Sequence, residues 1–298
     1  MRATHSEPGD DLVKRLDSDR PAIDRPRVIY ADLDGTLLGP GGSLFAMPAG
    51  RSSLRAVRAV HELHAAGVEL VLASGRARAG MFEPSRLLGV RAYIAELGAL
   101  LVERVLPDEI VVPNFGAHRG EGSPFDEMIR SGAGAYLIDR FEGMLELHTP
   151  WARKPREATM LFRGQVDPAE ATAALDAAGY GWLEVHDNGR LHRTSPTLRA
   201  TQLRAYHLTP KGVSKASAVR LHLERAGIPR AAAAAIGDSR ADLDIASEVA
   251  GVFIVSNGVA EIDGDEPPAN AWATPSSHGD GFAEAVRSLL EGGRSSSS

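Results

Sequence analysis

Short apolar runs that stop abruptly on a polar tip recur along this chain, and they constrain its fold more than any other feature. Val28-Ile29-Tyr30-Ala31 leads into Asp32-Leu33-Asp34-Gly35-Thr36, and Val68-Glu69-Leu70-Val71-Leu72-Ala73 leads into Ser74-Gly75-Arg76. Between them, residues 52–66 carry Leu54, Val57, Val60 and Leu63 at helical spacing, with Gly67 just past the end as a stop. Strand, helix, strand with apolar runs is a βαβ unit, whose two strands run parallel and end on one edge of the sheet. Open α/β sheets bind ligands at that edge. Asp32, Asp34 and Ser74 are therefore predicted to converge there.

The same grammar returns late in the chain. Ala216, Val219, Leu223 and Ala226 mark a helix face that stops at Gly227-Ile228-Pro229, and Ala231 to Ile236 then runs into Gly237-Asp238-Ser239-Arg240-Ala241-Asp242. Consecutive alanines favour helix, but the position between two helices and the Gly-Asp end predict a buried strand. A helix over about 240–249, the strand Val252-Phe253-Ile254-Val255 and a helix over 281–290 complete the pattern.

The middle of the chain differs. Asp167-Pro168-Ala169-Glu170 supplies an N-cap, a first-position proline and an acidic third residue, the start of a helix running to Gly179. Trp182 to His186, then Asp187-Asn188-Gly189, then Arg190 to Arg193 predict a hairpin with a type I′ turn. The expected architecture is α/β: a Rossmann-like parallel-sheet core over 27–112 and 205–291, with an inserted α+β cap at 113–204. Residues 1–26 are expected to be a disordered or loosely attached arm, and 292–298 a solvated tail.

Composition narrows the function. A net charge of -6 and a pI near 5.9 imply no basic surface, so nucleic acid is not an expected partner. The absence of cysteine excludes disulfides and thiolate metal sites and fits a reducing compartment. No segment has the length to span a bilayer and the N-terminus lacks a signal-peptide core, which together predict a soluble cytoplasmic protein without a membrane partner. His61 and His64 share a helix face but have no further ligands nearby in sequence, so they read as solvated.

Asp32 and Asp34 stand one residue apart at a strand end. Two close carboxylates repel and lose hydration if partly buried, so a cation held between them, or a reaction that uses both, would explain the pair. Asp-x-Asp-Gly-Thr after one strand, Ser-Gly-Arg after the next, a lysine at a helix start and Gly-Asp-x-x-x-Asp after another strand form an ordered set. The set resembles the haloacid dehalogenase (HAD) superfamily, specifically its Cof-type phosphatases, which carry a large α/β cap between the second and third motifs. The resemblance covers residues 27 to about 290; the motifs lie in the core, and the cap matches by position and element order.

That resemblance implies roles. Asp32 would be the nucleophile that forms an aspartyl-phosphate, and Asp34 the group that protonates the leaving oxygen and then deprotonates water. Ser74 and Gly75 would hold phosphoryl oxygens, and Lys215 would offset charge in the transition state. Mg²⁺ is the implied cofactor, held by the carboxylates of Asp32 and Asp238 and the backbone carbonyl of Asp34. Asp242, one turn further on, would hold a metal-bound water or orient Lys215. Lys211 competes with Lys215 for the motif position; the family places its lysine after a trio such as Gly212-Val213-Ser214, which favours Lys215. The sequence departs from the family where Leu97 and Ala241 stand in place of a frequent Asn, and Ala216 in place of a frequent Gly. None of these removes a metal ligand or the nucleophile.

In the expected cap, Arg153, Lys154 and Arg156 crowd into one segment with Trp151, either as a solvated loop or as a grip on a second anionic group of the substrate. The expected function is Mg²⁺-dependent hydrolysis of a small phosphorylated metabolite, a sugar phosphate or sugar-phosphoglycerate type of ester. A phosphomutase of the same superfamily and a non-catalytic sensor of a phosphorylated ligand are the alternatives. A sensor has no use for a second carboxylate that moves protons.

Overall fold

The computed structural model describes residues 14–16, 23–104, 106–191, 194–262 and 267–292. They fall into two compact units, one up to Leu72 and from Leu223 onward, the other over Ala73–His222. In chain order the first strands are β1 (Lys14–Arg15), β2 (Val28–Ala31), β3 (Glu69–Ala73), β4 (Ala92–Ala95), β5 (Leu100–Arg104) and β6 (Ile110–Pro113). They continue with β7 (Leu145–Leu147), β8 (Met160–Gly164), β9 (Leu183–Leu191), β10 (Leu203–Pro210), β11 (Ala233–Gly237), β12 (Gly251–Ile254) and β13 (Ala271–Ala273).

In the first unit every strand pairing is parallel, in the order β1-β13-β12-β11-β2-β3. β2, β11 and β12 are buried along their whole lengths, which is why they read as unbroken apolar runs and not as alternating ones. The alanine-rich segment is a strand as expected, because burial between two parallel neighbours overrides its helical propensity. The first helix, Arg55–Ala65, starts later than the spacing predicts and buries Ala56, Ala59, Val60 and Leu63. Leu54 precedes its first turn and is 53% exposed, so it does not share the buried stripe. Gly67, at φ +66°, makes the left-handed turn that stops the helix. His61 and His64 lie on its exposed side. The last helix spans His278–Gly292, longer than predicted at both ends.

Part of the expected N-terminal arm belongs to this unit. Lys14 and Arg15 pair with Trp272 and Ala273, and Leu16 and Ile23 are buried. The rest of the arm, 1–13 and 17–22, and the tail after Gly292 lie outside the described residues. Among the described residues no helix is long and apolar enough to cross a membrane.

The second unit holds the antiparallel edge strands β4-β5-β6 of the nine-stranded sheet and a four-stranded antiparallel sheet, β7-β8-β10-β9. One face of the four-stranded sheet packs on the helices Pro124–Ser131, Ala133–Arg140 and Pro168–Ala177 through Met128, Leu137, Phe162, Leu175, Tyr206 and Leu208. The helix start at 167 is as predicted, with Asp167 Oδ1 accepting from the amides of Ala169 at 2.7 Å and Glu170 at 2.9 Å. The hairpin is not. β9 runs straight through Asn188-Gly189 along β10, and the register steps from Arg204↔Arg190 to Tyr206↔Asp187. Asn188 and Gly189 together oppose Ala205, so the positive φ of Gly189 (+94°) serves a bulge in place of a turn. The Gly189 amide closes it by donating to Asp187 Oδ1 at 2.8 Å.

Candidate active site

At the C-terminal edge of the first unit's sheet, the adjacency of β2 and β11 brings the first and last aspartate motifs together. One carboxylate oxygen each of Asp32, Asp238 and Asp242 lies within 4.8 Å of the other two. Asp32 and Asp242 are buried and Asp238 is half-buried, while the side chain of Asp34 is exposed and outside this trio. Two glycines make the approach possible. A Cβ on Gly35, already at φ +91°, would sit 2.0 Å from Asp238 Oδ2, and one on Gly237 would sit 2.1 Å from the Asp242 Cβ.

Neutral donors organise these groups. Thr36 Oγ1 donates to Asp238 Oδ1 at 3.3 Å, and Asn257 Nδ2 donates to the Gly35 carbonyl at 3.0 Å and to Asp238 Oδ2 at 3.5 Å. Asp242 Oδ2 accepts from Ser239 Oγ at 2.6 Å and from the amides of Ser239 and Asp238 at 3.1 and 3.3 Å. It is thus a capping residue as well as a member of the trio. Three crowded carboxylates with all-oxygen donor atoms suit a hard divalent cation and suit nothing apolar.

In the second unit Ser74 is almost fully buried just past β3, its amide donating to Ile94 O and its carbonyl accepting from Leu97 N. Its Oγ accepts from the Arg76 amide at 3.2 Å. The carbonyl of Gly75 accepts from Arg156 Nη2 at 2.6 Å. Lys215 opens the helix Lys215–Ala226 and is buried, whereas Lys211 lies nearer the surface in an ion pair with Asp176 at 2.6 Å.

The three cations of the cap segment part company. Arg156 is buried and donates through Nε to Thr159 Oγ1 at 2.9 Å, while Arg153 and Lys154 are exposed and Lys154 Nζ sits 4.6 Å from the Trp151 ring centroid. A short turn over Trp151–Arg153 followed by extended chain at Lys154 divides them. Beside Arg156 lies Glu96, fully buried. It accepts from the amides of Glu157, Ala158 and Thr159 at 2.9–3.0 Å and from Thr159 Oγ1 at 3.0 Å, with Arg156 Nε 3.8 Å away. Glu96 and Leu97 both hold positive φ, +50° and +59°. An Asn at position 97 would adopt that backbone with less strain than Leu.

Sequence reasoning missed Thr36, Asn257 and Glu96. Asn257 follows β12 at its C-terminal end, a position the expected parallel sheet could have flagged. Glu96 carries no local signal, since its partners stand some sixty residues away.

A family model described as haloacid dehalogenase-like hydrolase matches residues 29–111 and 189–286. A phosphoglycolate phosphatase of Methanoculleus marisnigri is 27% identical over 266 residues, covering 88% of this chain and 95% of the relative. One from Archaeoglobus fulgidus is 26% identical over 266 residues, covering 89% and 97%. Among solved structures, the sucrose-phosphatase of Synechocystis sp. PCC6803 superposes with a TM-score of 0.59 at 18% identity, over 89% of this chain and 98% of the other. A haloacid dehalogenase-like hydrolase from Bacteroides thetaiotaomicron gives 0.56 at 17% identity, over 88% and 98%. Motif order, parallel sheet and inserted cap agree with the match: the chain belongs to the haloacid dehalogenase-like hydrolases and, within them, to the Cof-type phosphatases.

Proposed function

We propose that this chain is a Mg²⁺-dependent phosphatase of a small phosphate monoester whose alcohol carries a carboxylate, with phosphoglycolate the first candidate. The observation that carries the reading is the Asp32, Asp238, Asp242 trio at a strand-end edge. Those carboxylates, with the Asp34 backbone carbonyl, would hold the cation, which when bound neutralises charge on the phosphoryl oxygens. The substrate class rests on the relatives: six phosphoglycolate phosphatases align over 79–90% of the chain. The sugar-phosphate alternative rests on a fold neighbour at 18% identity, a likeness of fold alone.

The residues then have defined work. The Asp32 carboxylate attacks phosphorus, the ester P–O bond breaks, and Asp34 delivers a proton to the departing alkoxide. Asp34 next takes a proton from the water that attacks the aspartyl-phosphate, which releases orthophosphate and restores Asp32. The exposure of Asp34 suits a group that must exchange protons with solvent. The Ser74 hydroxyl and the Gly75 amide bind phosphoryl oxygens, and Lys215 balances their charge. Orthophosphate release from phosphoglycolate, sucrose phosphate and p-nitrophenyl phosphate, each with Mg²⁺ and with EDTA, tests the proposal. The expected result is the highest kcat/KM on phosphoglycolate and none in EDTA. Undiminished turnover in EDTA, or no release from any ester, would overturn it.

A further inference from the structure

The face of the four-stranded sheet that turns away from the cap helices carries an unexplained buried imidazole. Tyr206 and Leu208 of β10 point into the helical core, so His207 between them points to the opposite face. Its register neighbours are His186 on β9 and Leu161 on β8. His207 is 1% exposed, and its Nδ1 has no hydrogen-bond partner. A buried polar atom left unsatisfied costs stability, so such an atom in a folded protein calls for a partner the fold does not supply.

The other ring nitrogen of His207, Nε2, faces the turn that carries Ser74 and Gly75. A Cβ built on Gly75 would lie 2.8 Å from His207 Nε2 and 3.2 Å from Asn188 Nδ2. Both side chains therefore adjoin the Ser74-Gly75 turn so closely that only glycine fits there. Regular alternation along β9 puts Asn188 on the same face as His186, opposite the face of Leu183 and Val185. The surroundings are electropositive. Arg156 holds the Gly75 carbonyl, and Arg156, His186, Lys215 and His148 all act on His207 as cations or imidazoles. Such a field favours an anion. A phosphoryl group on Ser74 and Gly75 would occupy one side of the turn, and the rest of the substrate must extend from it.

We infer that His207 and Asn188, backed by Arg156, form the subsite that receives the carboxylate of the leaving group; this deepens the phosphatase reading above and rests on it. The His207 imidazole N–H and the Asn188 amide donate to the carboxylate oxygens, and Arg156, itself paired with Glu96, holds the Gly75 carbonyl in place. Arg153 and Lys154, which precede Pro155 and are exposed, are not needed for this subsite.

The test compares phosphoglycolate with ethyl phosphate, which has the same two-carbon chain without the carboxylate, in the unaltered protein, in Asn188→Ala and in His207→Gln. The ratio of the two kcat/KM values should fall about tenfold or more in each variant, the effect of one lost charge-assisted contact. An unchanged ratio overturns the inference, whatever happens to the absolute rates. Asn188 is only half-buried, so Asn188→Ala keeps the test open if His207→Gln does not fold. Binding of phosphonoacetate against ethylphosphonate, measured by calorimetry on the same proteins, needs no turnover. If no ester is hydrolysed yet this preference falls about tenfold in the variants, the phosphatase reading fails and the carboxylate subsite stands. If the preference does not change, the subsite fails by itself.

Discussion

Both units hold buried carboxylates, and their surroundings are built on opposite principles. In the first unit three carboxylates are packed within 4.8 Å of one another. In the second a single carboxylate, Glu96, is wrapped by three amides and a hydroxyl with the Arg156 guanidinium beside it. Glu96 meets inside the fold the donors that replace lost water, which is how a buried charge becomes a structural fixture. Crowded carboxylates repel, and their arrangement is understandable when a cation or a reacting phosphoryl group is the missing member. The same functional group serves architecture in one place and chemistry in the other.

Substitution can break this contrast, and the largest effect belongs to the reacting carboxylate. Asp32→Asn keeps shape and hydrogen bonding but removes the nucleophile, so kcat/KM should fall by roughly a thousandfold or more, about 4 kcal/mol of transition-state stabilisation. The urea midpoint should hardly move. Near-normal turnover in that variant would remove the covalent step.

Glu96→Ala probes the architectural carboxylate and should do the reverse. Leaving Arg156 and the amides of 157–159 buried without their acceptor should cost about 3–5 kcal/mol of stability, read as a drop in urea midpoint. A loss below about 1 kcal/mol would mean water replaces the carboxylate easily and the contrast is empty.

Mg²⁺ itself sharpens the comparison. At a concentration of about 100 times its dissociation constant it should stabilise the unaltered protein by about 2.7 kcal/mol. Asp238→Ala should lose that gain, and Glu96→Gln should keep it. An equal Mg²⁺ response in all three proteins would place the ion elsewhere.

A smaller effect is expected from pH. Burial first, then Arg156, His186, Lys215 and His148, hold the His207 pKa well below its ordinary value of 6.5. The unfolded chain takes up a proton as pH falls through about 6.5 while native His207 does not, so its contribution to stability is present above that pH and is lost as pH falls toward the folded value. Urea midpoints measured between pH 7.5 and 5.5 should therefore decline less in His207→Gln than in the unaltered protein. Parallel slopes would show that the imidazole is not held neutral. The smallest effect is expected at the surface. Arg153→Ala and Lys154→Ala should each change stability by about 0.5 kcal/mol or less, since an exposed charge, even one stacked on Trp151, contributes little.

What could be read in advance was whatever depends on neighbours in sequence. The parallel strands announce themselves as unbroken apolar runs, and the aspartates follow them directly, so the meeting of Asp32 and Asp238 at one sheet edge is legible without coordinates. So is the Asp167 cap, which needs only the next three residues. Where two local readings were open, tertiary structure chose. Asn188-Gly189 supplies a positive φ that serves a hairpin turn or a bulge equally, and pairing with β10 selected the bulge. Arg153, Lys154 and Arg156 look alike in sequence, and only Arg156 finds buried acceptors. The Glu96 cradle, the Asn257 contact with Asp238 and the His207 site had no local form at all. Their partners are distant along the chain and become neighbours only when strands pair, because hydrogen bonds and charges act over a few ångströms of space and not along the sequence.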